Sequence, residues 1–221
     1  MTDIWSERAE QYRTSDAHRE GPDLDLVVEW ATAAGVRTAL DVATGGGHVA
    51  RRLREAGLEV VSSDPAPGMS PDVVCRAEHL PFADGSFDLV VTRVAAHHFE
   101  DVRQSVREMA RVASKLVIVV DNCFMGEEIE EAEKLRDPSH VRNYGAEEWR
   151  AYCEAAGLNV EEYRFFEKPI LLQPWLDRCG CEGDDAVRVV ELLGDRVQGT
   201  NVVLDRIALC CLKSKGGAVP A

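Results

Sequence analysis

The sequence predicts an α/β fold, a doubly wound and mostly parallel seven-stranded sheet with an antiparallel hairpin at one edge. Three observations predict it. Short apolar runs alternate with helical patterns from Thr38 to Asp121, and such alternation builds a parallel sheet. The first run carries an acid, Asp41, just before Gly45-Gly46-Gly47 and a helical pattern. Lys115-Leu-Val-Ile-Val-Val-Asp121 is almost continuously apolar, as expected of a strand covered on both faces.

The elements follow in order. Residues 3–14 and 23–34 read as helices, with Pro22 starting the second. Thr38–Ala43 reads as a strand, and Gly46–Ala56 as a helix ended by Gly57. Leu58–Asp64 is a strand ending in an acid, Asp72–Cys75 a short strand and Phe87–Thr92 a fourth. Asp101 is a good N-cap for a helix over Val102–Ala113, and Lys115–Asp121 is the fifth strand. The charged stretch 124–136 reads as a surface helix. Ala146–Ala156 is a helix ended by Gly157, Leu158–Phe166 a strand, Asp184–Leu193 a helix and Val202–Leu212 the last strand. The two late strands lack a full crossover helix of the kind that joins parallel strands, hence the edge hairpin. Residues 1–213 are expected to form one domain. Within it, 1–35 are N-terminal helices, and 122–145 and 169–200 are insertions over the carboxyl ends of the strands, where open α/β sheets bind ligands. Residues 214–221 are expected to be a flexible tail.

Bulk properties narrow the function. The chain has 221 residues, 45% of them apolar, and a formal net charge of −14. That is a globular composition, and its charge argues against nucleic acid, which needs clustered Lys and Arg. It also argues against an anionic membrane surface. No run approaches the roughly 18 apolar residues of a membrane span, and the start, Met1-Thr-Asp-Ile-Trp-Ser-Glu-Arg8, lacks an apolar leader segment. A cytoplasmic protein is expected, with a homodimer as the assembly considered beyond the monomer. The seven cysteines are scattered, and Cys179-x-Cys181 and Cys210-Cys211 do not form paired C-x-x-C units. No metal site is therefore expected. The thiols read as reduced and packed as small apolar residues, with Cys123 and Cys179 the candidates for reactivity.

The chemistry starts at Ala39-Leu-Asp-Val-Ala-Thr-Gly-Gly-Gly-His-Val-Ala50. Glycine permits positive φ and close ligand approach, and the helix that follows offers free N–H groups. Gly45-x-Gly47-x-x-Ala50 also satisfies a dinucleotide fingerprint. Asp41 decides against it: a carboxylate before the turn repels a pyrophosphate and suits an ammonium, such as that of S-adenosylmethionine. Asp64, at the end of the second strand, can accept both hydroxyls of a ribose.

Further motifs are specific. They are Asp64-Pro-Ala-Pro-Gly-Met69, Ala77-Glu-His-Leu-Pro-Phe-Ala-Asp-Gly-Ser-Phe-Asp88, His97-His98-Phe99 with Asp101, and Asp137-Pro-Ser-His-Val-Arg142 with Glu148-Trp149. Upstream stand Tyr12, Ser15, His18 and Gly21-x-Asp23-Leu24. With the glycine loop they make the chain resemble a class I S-adenosylmethionine-dependent methyltransferase of the ubiquinone/menaquinone-biosynthesis-like (type 11) group, over roughly residues 5–195. The resemblance implies the Rossmann-like fold of that class. It implies S-adenosylmethionine as cofactor, S-adenosylhomocysteine as product and a small-molecule acceptor methylated on oxygen, carbon or nitrogen.

The same resemblance implies roles. Asp41, Ala43, Thr44, Gly45, Gly46 and Gly47 would border the methionine and ribose. Asp64 would hold the ribose diol, with Pro65 and Met69 flanking the adenine and Ala77 and Glu78 at its edge. Arg93, Val94 and His98 would lie near the methionine, with Tyr12, His18 and Gly21 closing the pocket from the N-terminal helices. Two departures stand out. Arg76 replaces the Asp that usually precedes Ala-Glu, so adenine recognition would rest on backbone groups or Glu78. Ala113-Ser-Lys115 shortens the usual Lys-Pro-Gly-Gly, a change of scaffold.

Methyl transfer is an in-line displacement governed by alignment and desolvation. A general base helps an acidic acceptor, and histidine suits the task. His97, His98 and His140 are the candidates, with Tyr144 and Arg142 to orient the acceptor. Trp149, Trp175 and Phe124 either line an apolar acceptor pocket or serve the core, the latter favoured for Trp149. Two rival readings remain: an NAD(P)-dependent oxidoreductase, opposed by Asp41 and by the absence of a Tyr-x-x-x-Lys pair, and a non-catalytic S-adenosylmethionine-binding protein, which Arg76 encourages.

Overall fold

The computed structural model describes residues 4–214. Asp3 of the expected first helix and all of the expected tail beyond Ser214 lie outside the described residues. The chain opens with α1 (Ile4–Arg13), α2 (Asp16–Arg19) and α3 (Pro22–Ala33), then β1 (Thr38–Val42), α4 (His48–Glu55), β2 (Glu59–Asp64) and β3 (Val73–Val74). β4 (Phe87–Arg93), α5 (Val102–Val112) and β5 (Ala113–Asn122) complete the alternating part. α6 (Glu127–Arg136), α7 (Ala146–Ala155), β6 (Leu158–Leu171), α8 (Leu172–Asp177), α9 (Gly183–Leu193), β7 (Val197–Gln198) and β8 (Asn201–Lys213) follow.

The sheet order is β3-β2-β1-β4-β5-β8-β6, with β7 paired to β8. β1 to β5 are mutually parallel, and β8 runs antiparallel to both β5 and β6. The expected antiparallel edge is thus present, with one refinement. β8 inserts between β5 and β6, so the later strand lies inside and the earlier one forms the edge. The connection between them holds two helices rather than a tight turn. Among the described residues the close hairpin in this part is β7–β8, where Gln198 pairs with Asn201.

Period-two alternation sorts the central strands into two cores. Leu89, Val91, Leu116, Ile118 and Val120 face α3 and α4, packing with Leu24, Val27, Trp30 and Leu53. Val90, Val117 and Val119 face α5 and α7, packing with Val106, Met109, Trp149 and Cys153. α5 is held at its start by Asp101, whose side chain accepts from the Gln104 N–H at 3.0 Å, as the sequence indicates. A third core, built from α6, α8, α9 and the far ends of β6 and β8, contains Ile129, Trp175, Val189 and Leu204.

One expectation holds only in part. The helix of the 124–136 stretch is a surface helix on one face, where Glu127, Glu128, Glu131 and Lys134 are exposed. α6 starts only at Glu127 and buries Ile129, Glu130, Ala132, Glu133 and Arg136. Its acids look like solvated residues in sequence, but two of them point into a buried polar network.

Candidate functional site

The strand carboxyl ends of β1, β2 and β4 open into a cavity of about 600 Å³. α1 and α2 cover it from one side. Pro138, Ser139 and Val141, from the segment after α6, wall it from another. Of the two expected covering insertions, 122–145 contributes directly and 169–200 does so only at one remove. Arg178 donates to Ser15 Oγ at 3.0 Å, and Arg8 donates to the Cys179 carbonyl at 2.9 Å.

Sharp backbone turns aim the strand ends at this space. Ala43, Gly45 and Val94 have φ of 55°, 51° and 54°. For a β-branched residue such as Val94 that is a costly conformation of the kind found at binding sites. Gly46 is needed for another reason. A Cβ there would meet the Tyr12 carbonyl oxygen and His48 Nε2, each at 2.7 Å. Gly46→Ala should therefore push α1 off the loop and weaken ligand binding at least tenfold, as a calorimetric titration would read; unchanged affinity would refute this close-packing account.

Asp41 is 1% exposed. Its Oδ2 accepts from Thr44 Oγ1 at 2.5 Å and from the Ala50 N–H at 3.0 Å. Burial pushes its pKa up to about 6, against those two hydrogen bonds. Asp64 bends the next loop, accepting from the Gly45 N–H at 3.0 Å and the Ala66 N–H at 2.9 Å. Arg93 is also buried. Its Nε donates to Asp23 Oδ2 at 2.8 Å and its Nη1 to the His18 carbonyl at 2.9 Å. Its Nη2 has no hydrogen-bond partner among the described residues. One cavity thus carries a strongly desolvated carboxylate and a guanidinium with a spare donor.

The cavity brings together Tyr12, His18, Asp41, Ala43, Thr44, Gly45, Gly46, Asp64, Pro65, Met69, Ala77, Glu78, Arg93, Val94 and His98. Two expected cofactor residues do not border it. Gly47 caps the N-terminus of α4 with φ 76°. Gly21 caps α3, where a side chain would strike Asp23 Oδ1 at 2.6 Å. Both glycines serve the backbone.

Glu78 borders the cavity but is already engaged. It pairs with Arg76 at 3.3 Å and accepts from the Glu100 and Asp101 N–H groups at 3.0 and 3.3 Å. Arg76 also reaches Glu100 at 3.0 Å. The residue that departs from the family pattern thus braces the rim of the site.

The three histidines separate. His98 lines the cavity with Trp5 edge-on at 4.6 Å between ring centres. Its Nδ1 lies 3.1 Å from the Ser139 carbonyl. A carbonyl only accepts, so Nδ1 carries the proton and Nε2 the lone pair. Burial, then the charge on His97, holds the His98 pKa well below its ordinary value, so the ring stays neutral.

His97 and His140 do not border the cavity, which corrects the expectation for both as groups touching substrate. His97 is buried with Nδ1 2.6 Å from Asp121 Oδ1. Burial disfavours its charged form, but the Asp121 carboxylate outweighs burial and raises the pKa. His140 is buried with Nε2 2.9 Å from Glu130 Oε1.

Tyr144, Trp149 and Tyr152 meet edge-on against the core, Arg142 pairs with Glu148 at 2.7 Å, and Trp175 lies under Arg136 at 4.1 Å. Phe124 lies under Arg142 at 5.8 Å. None of these orients or lines the site. The thiols are not activated either: burial pushes Cys179 up to about 11 and also raises Cys123.

Trp5 lines the cavity with no motif to mark it, since its place is set by His98, far along the chain. His48 and Phe99 also line it; both stand within the sequence motifs, which assign them no role. His48 Nε2 lies 3.0 Å from the Tyr12 carbonyl, which ties the glycine loop to α1.

Comparison with known proteins adds the following. Residues 40–120 match the model of a methyltransferase domain. The chain is 32% identical over 208 residues to an uncharacterized methyltransferase of Bacillus subtilis, YcgJ, covering 84% of this chain and 82% of that protein. The crystal structure of YcgJ superposes with a TM-score of 0.77 at 28% identity, covering 88% of this chain and 99% of that one. A demethylmenaquinone methyltransferase of Renibacterium salmoninarum is 35% identical over 106 residues, 42% of this chain and 45% of that protein. In fold alone, magnesium protoporphyrin IX methyltransferase from Synechocystis, solved with bound SAH, matches with a TM-score of 0.57 at 16% identity, covering 86% and 82% of the two chains.

Proposed function

The chain belongs to the S-adenosylmethionine-dependent methyltransferase family, and from that premise we propose that it methylates a small-molecule acceptor held against His98. The carrying observation is the pairing of Asp41 with the spare Nη2 of Arg93 in one cavity. An amino-acid group is a zwitterion. Its ammonium would relieve the buried Asp41 carboxylate, and its carboxylate would satisfy Arg93 Nη2. The residues present therefore fit S-adenosylmethionine. Asp64, at the end of β2, stands where a ribose diol can be accepted, and Pro65 and Met69 offer an apolar wall to the adenine.

When bound, the cofactor supplies an activated methyl group on a positively charged sulfonium. The chain's residues do the rest by alignment. Trp5, Phe99, Pro138 and Val141 give the cavity an apolar side, which would displace water from the reacting atoms once cofactor and acceptor fill it. His98 offers the Nε2 lone pair as acceptor for an acceptor proton, its tautomer held by Ser139. His97 acts behind it: Asp121 holds the His97 ring 4.1 Å from that of His98, between centres.

The acceptor is small because the cavity must admit cofactor and acceptor together. Among the described residues no helix is long and apolar enough to cross a membrane. All seven cysteines are free, which accords with a reducing cytoplasm.

Calorimetric titration with S-adenosylmethionine tests the reading. Micromolar binding is expected, weakened at least tenfold in Asp64→Ala, with NADH inert. A folded protein that ignores S-adenosylmethionine or takes up NADH instead would sink it. Binding without methyl transfer to any of a broad panel of phenols, carbon acids and amines would favour the non-catalytic alternative.

A further inference from the structure

Behind the wall that holds His98 lies a second group of polar residues. Glu130 and Glu133 stand three apart on α6 and so share one face. His140 comes from the following loop. One ligand atom from each of these three side chains lies within 4.8 Å of the others, and the residues are 5%, 1% and 6% exposed. No Cys or His spacing marks this set in the sequence, and its acids look like those of a solvated helix.

Two observations set this group apart from an ordinary acidic cluster. The Glu133 carboxylate meets the side-chain amides of Asn122 and Asn143, and no ion pair to it is found among the described residues. Its hydrogen bonds come from neutral amides, and the ring it faces electrostatically is that of His97, a sparse set of partners for a buried carboxyl group. Asn143, 1% exposed, has an Oδ1 with no hydrogen-bond partner among the described residues. Its Nδ2 touches Glu133 and its backbone N–H meets both oxygens of Glu130, at 3.2 and 3.3 Å. Turning the amide over would set oxygen against the Glu133 carboxylate, so the orphaned oxygen belongs where it is.

We propose that Glu130, Glu133, His140 and the Asn143 Oδ1 form a buried site for a first-row divalent cation, with Mn²⁺ the best match. Two carboxylates, one imidazole and an amide oxygen, with no sulfur, are the donors such an ion takes. A divalent charge would balance Glu133, would join Lys134, 3.7 Å from Glu130 Oε1, in facing Glu130, and would give Asn143 Oδ1 its missing partner. His140 exchanges its 2.9 Å contact with Glu130 for the metal. The ion would fasten α6 to the loop carrying Pro138 and Ser139, and so stiffen the wall against which His98 is set.

The test uses the full chain without an affinity tag, stripped with a chelator. Mn²⁺ is titrated by calorimetry and followed by electron paramagnetic resonance and thermal melting. One equivalent per chain is expected, with a raised melting temperature and nitrogen coupling from one imidazole. Glu133→Gln, which keeps the side-chain shape, should weaken binding at least tenfold, and Cys179→Ala should leave it unchanged. Absence of Mn²⁺ binding, or bound Mn²⁺ without nitrogen coupling, overturns the proposal. So does affinity that Glu133→Gln leaves intact. The wild-type spectrum alone decides the matter should the variant fail to fold.

Discussion

Asp41→Asn should abolish measurable cofactor binding while making the empty protein more stable. Both effects follow from one carboxylate. Asp41 is buried at the end of β1, and burial raises its pKa from 3.8 to about 6. The folded chain therefore binds more protons than the unfolded chain between those values. Stability from this group is fully present below pH 3.8 and is lost as pH rises through about 6. The shift corresponds to a penalty on the order of 3 kcal/mol at neutral pH. Asparagine removes the charge and keeps an oxygen for Thr44 and Ala50, so the empty variant should melt higher. It also loses the partner of the ligand's ammonium, and truncating one side of a buried charge pair costs about 2–5 kcal/mol of binding.

The wild type should show the same chemistry in its pH profile. Affinity for S-adenosylmethionine should fall toward tenfold per unit as pH drops below about 6, where Asp41 takes a proton. Calorimetry from pH 5 to 8 and melts of both proteins check this. A pH-independent affinity, or a variant that binds normally, would remove Asp41 from the site.

The second large effect is expected directly behind the cavity, at the carboxylate that holds Arg93. Asp23, on α3, accepts from Arg93 Nε at 2.8 Å and from Arg206 Nη1 at 3.0 Å, through the same Oδ2. All three side chains are buried. Burial opposes the Asp23 charge, but Arg93 and then Arg206 outweigh it and lower the pKa. Asp23→Ala strands two guanidinium groups in the interior and should cost about 3–5 kcal/mol, a large share of a typical domain's stability.

This contribution is present above the unfolded carboxylate pKa and is lost as pH falls through the lower, folded one. Urea unfolding at pH 7 measures the loss directly. Pairing Asp23→Leu with Arg206→Met should recover part of it by removing charge with countercharge. A loss under about 1 kcal/mol for Asp23→Ala would show that water or rearrangement compensates the cluster. The variant should also bind cofactor poorly, because Asp23 holds the Arg93 fork in place.

Much of this was legible in the residues themselves. Asp41, the glycine turn, Asp64 and the strand periodicities lie within a few residues of one another, and turn chemistry and alternation act over that range. They determined the parallel core and the cavity at the strand ends, and they point to the kind of ligand proposed for it. The sequence motifs also marked His98, but not which histidine faces the cavity, since His97 and His98 adjoin and differ only in what surrounds them.

Tertiary structure alone decided the rest. It placed β8 between β5 and β6, turned Glu130 and Glu133 inward, set Arg76 against Glu78 and Glu100, and joined Asp23 to Arg206, 183 positions away. No local pattern records such pairings. A charged residue on a helix reads the same whether it meets water or a buried partner, and only packing of distant segments determines which.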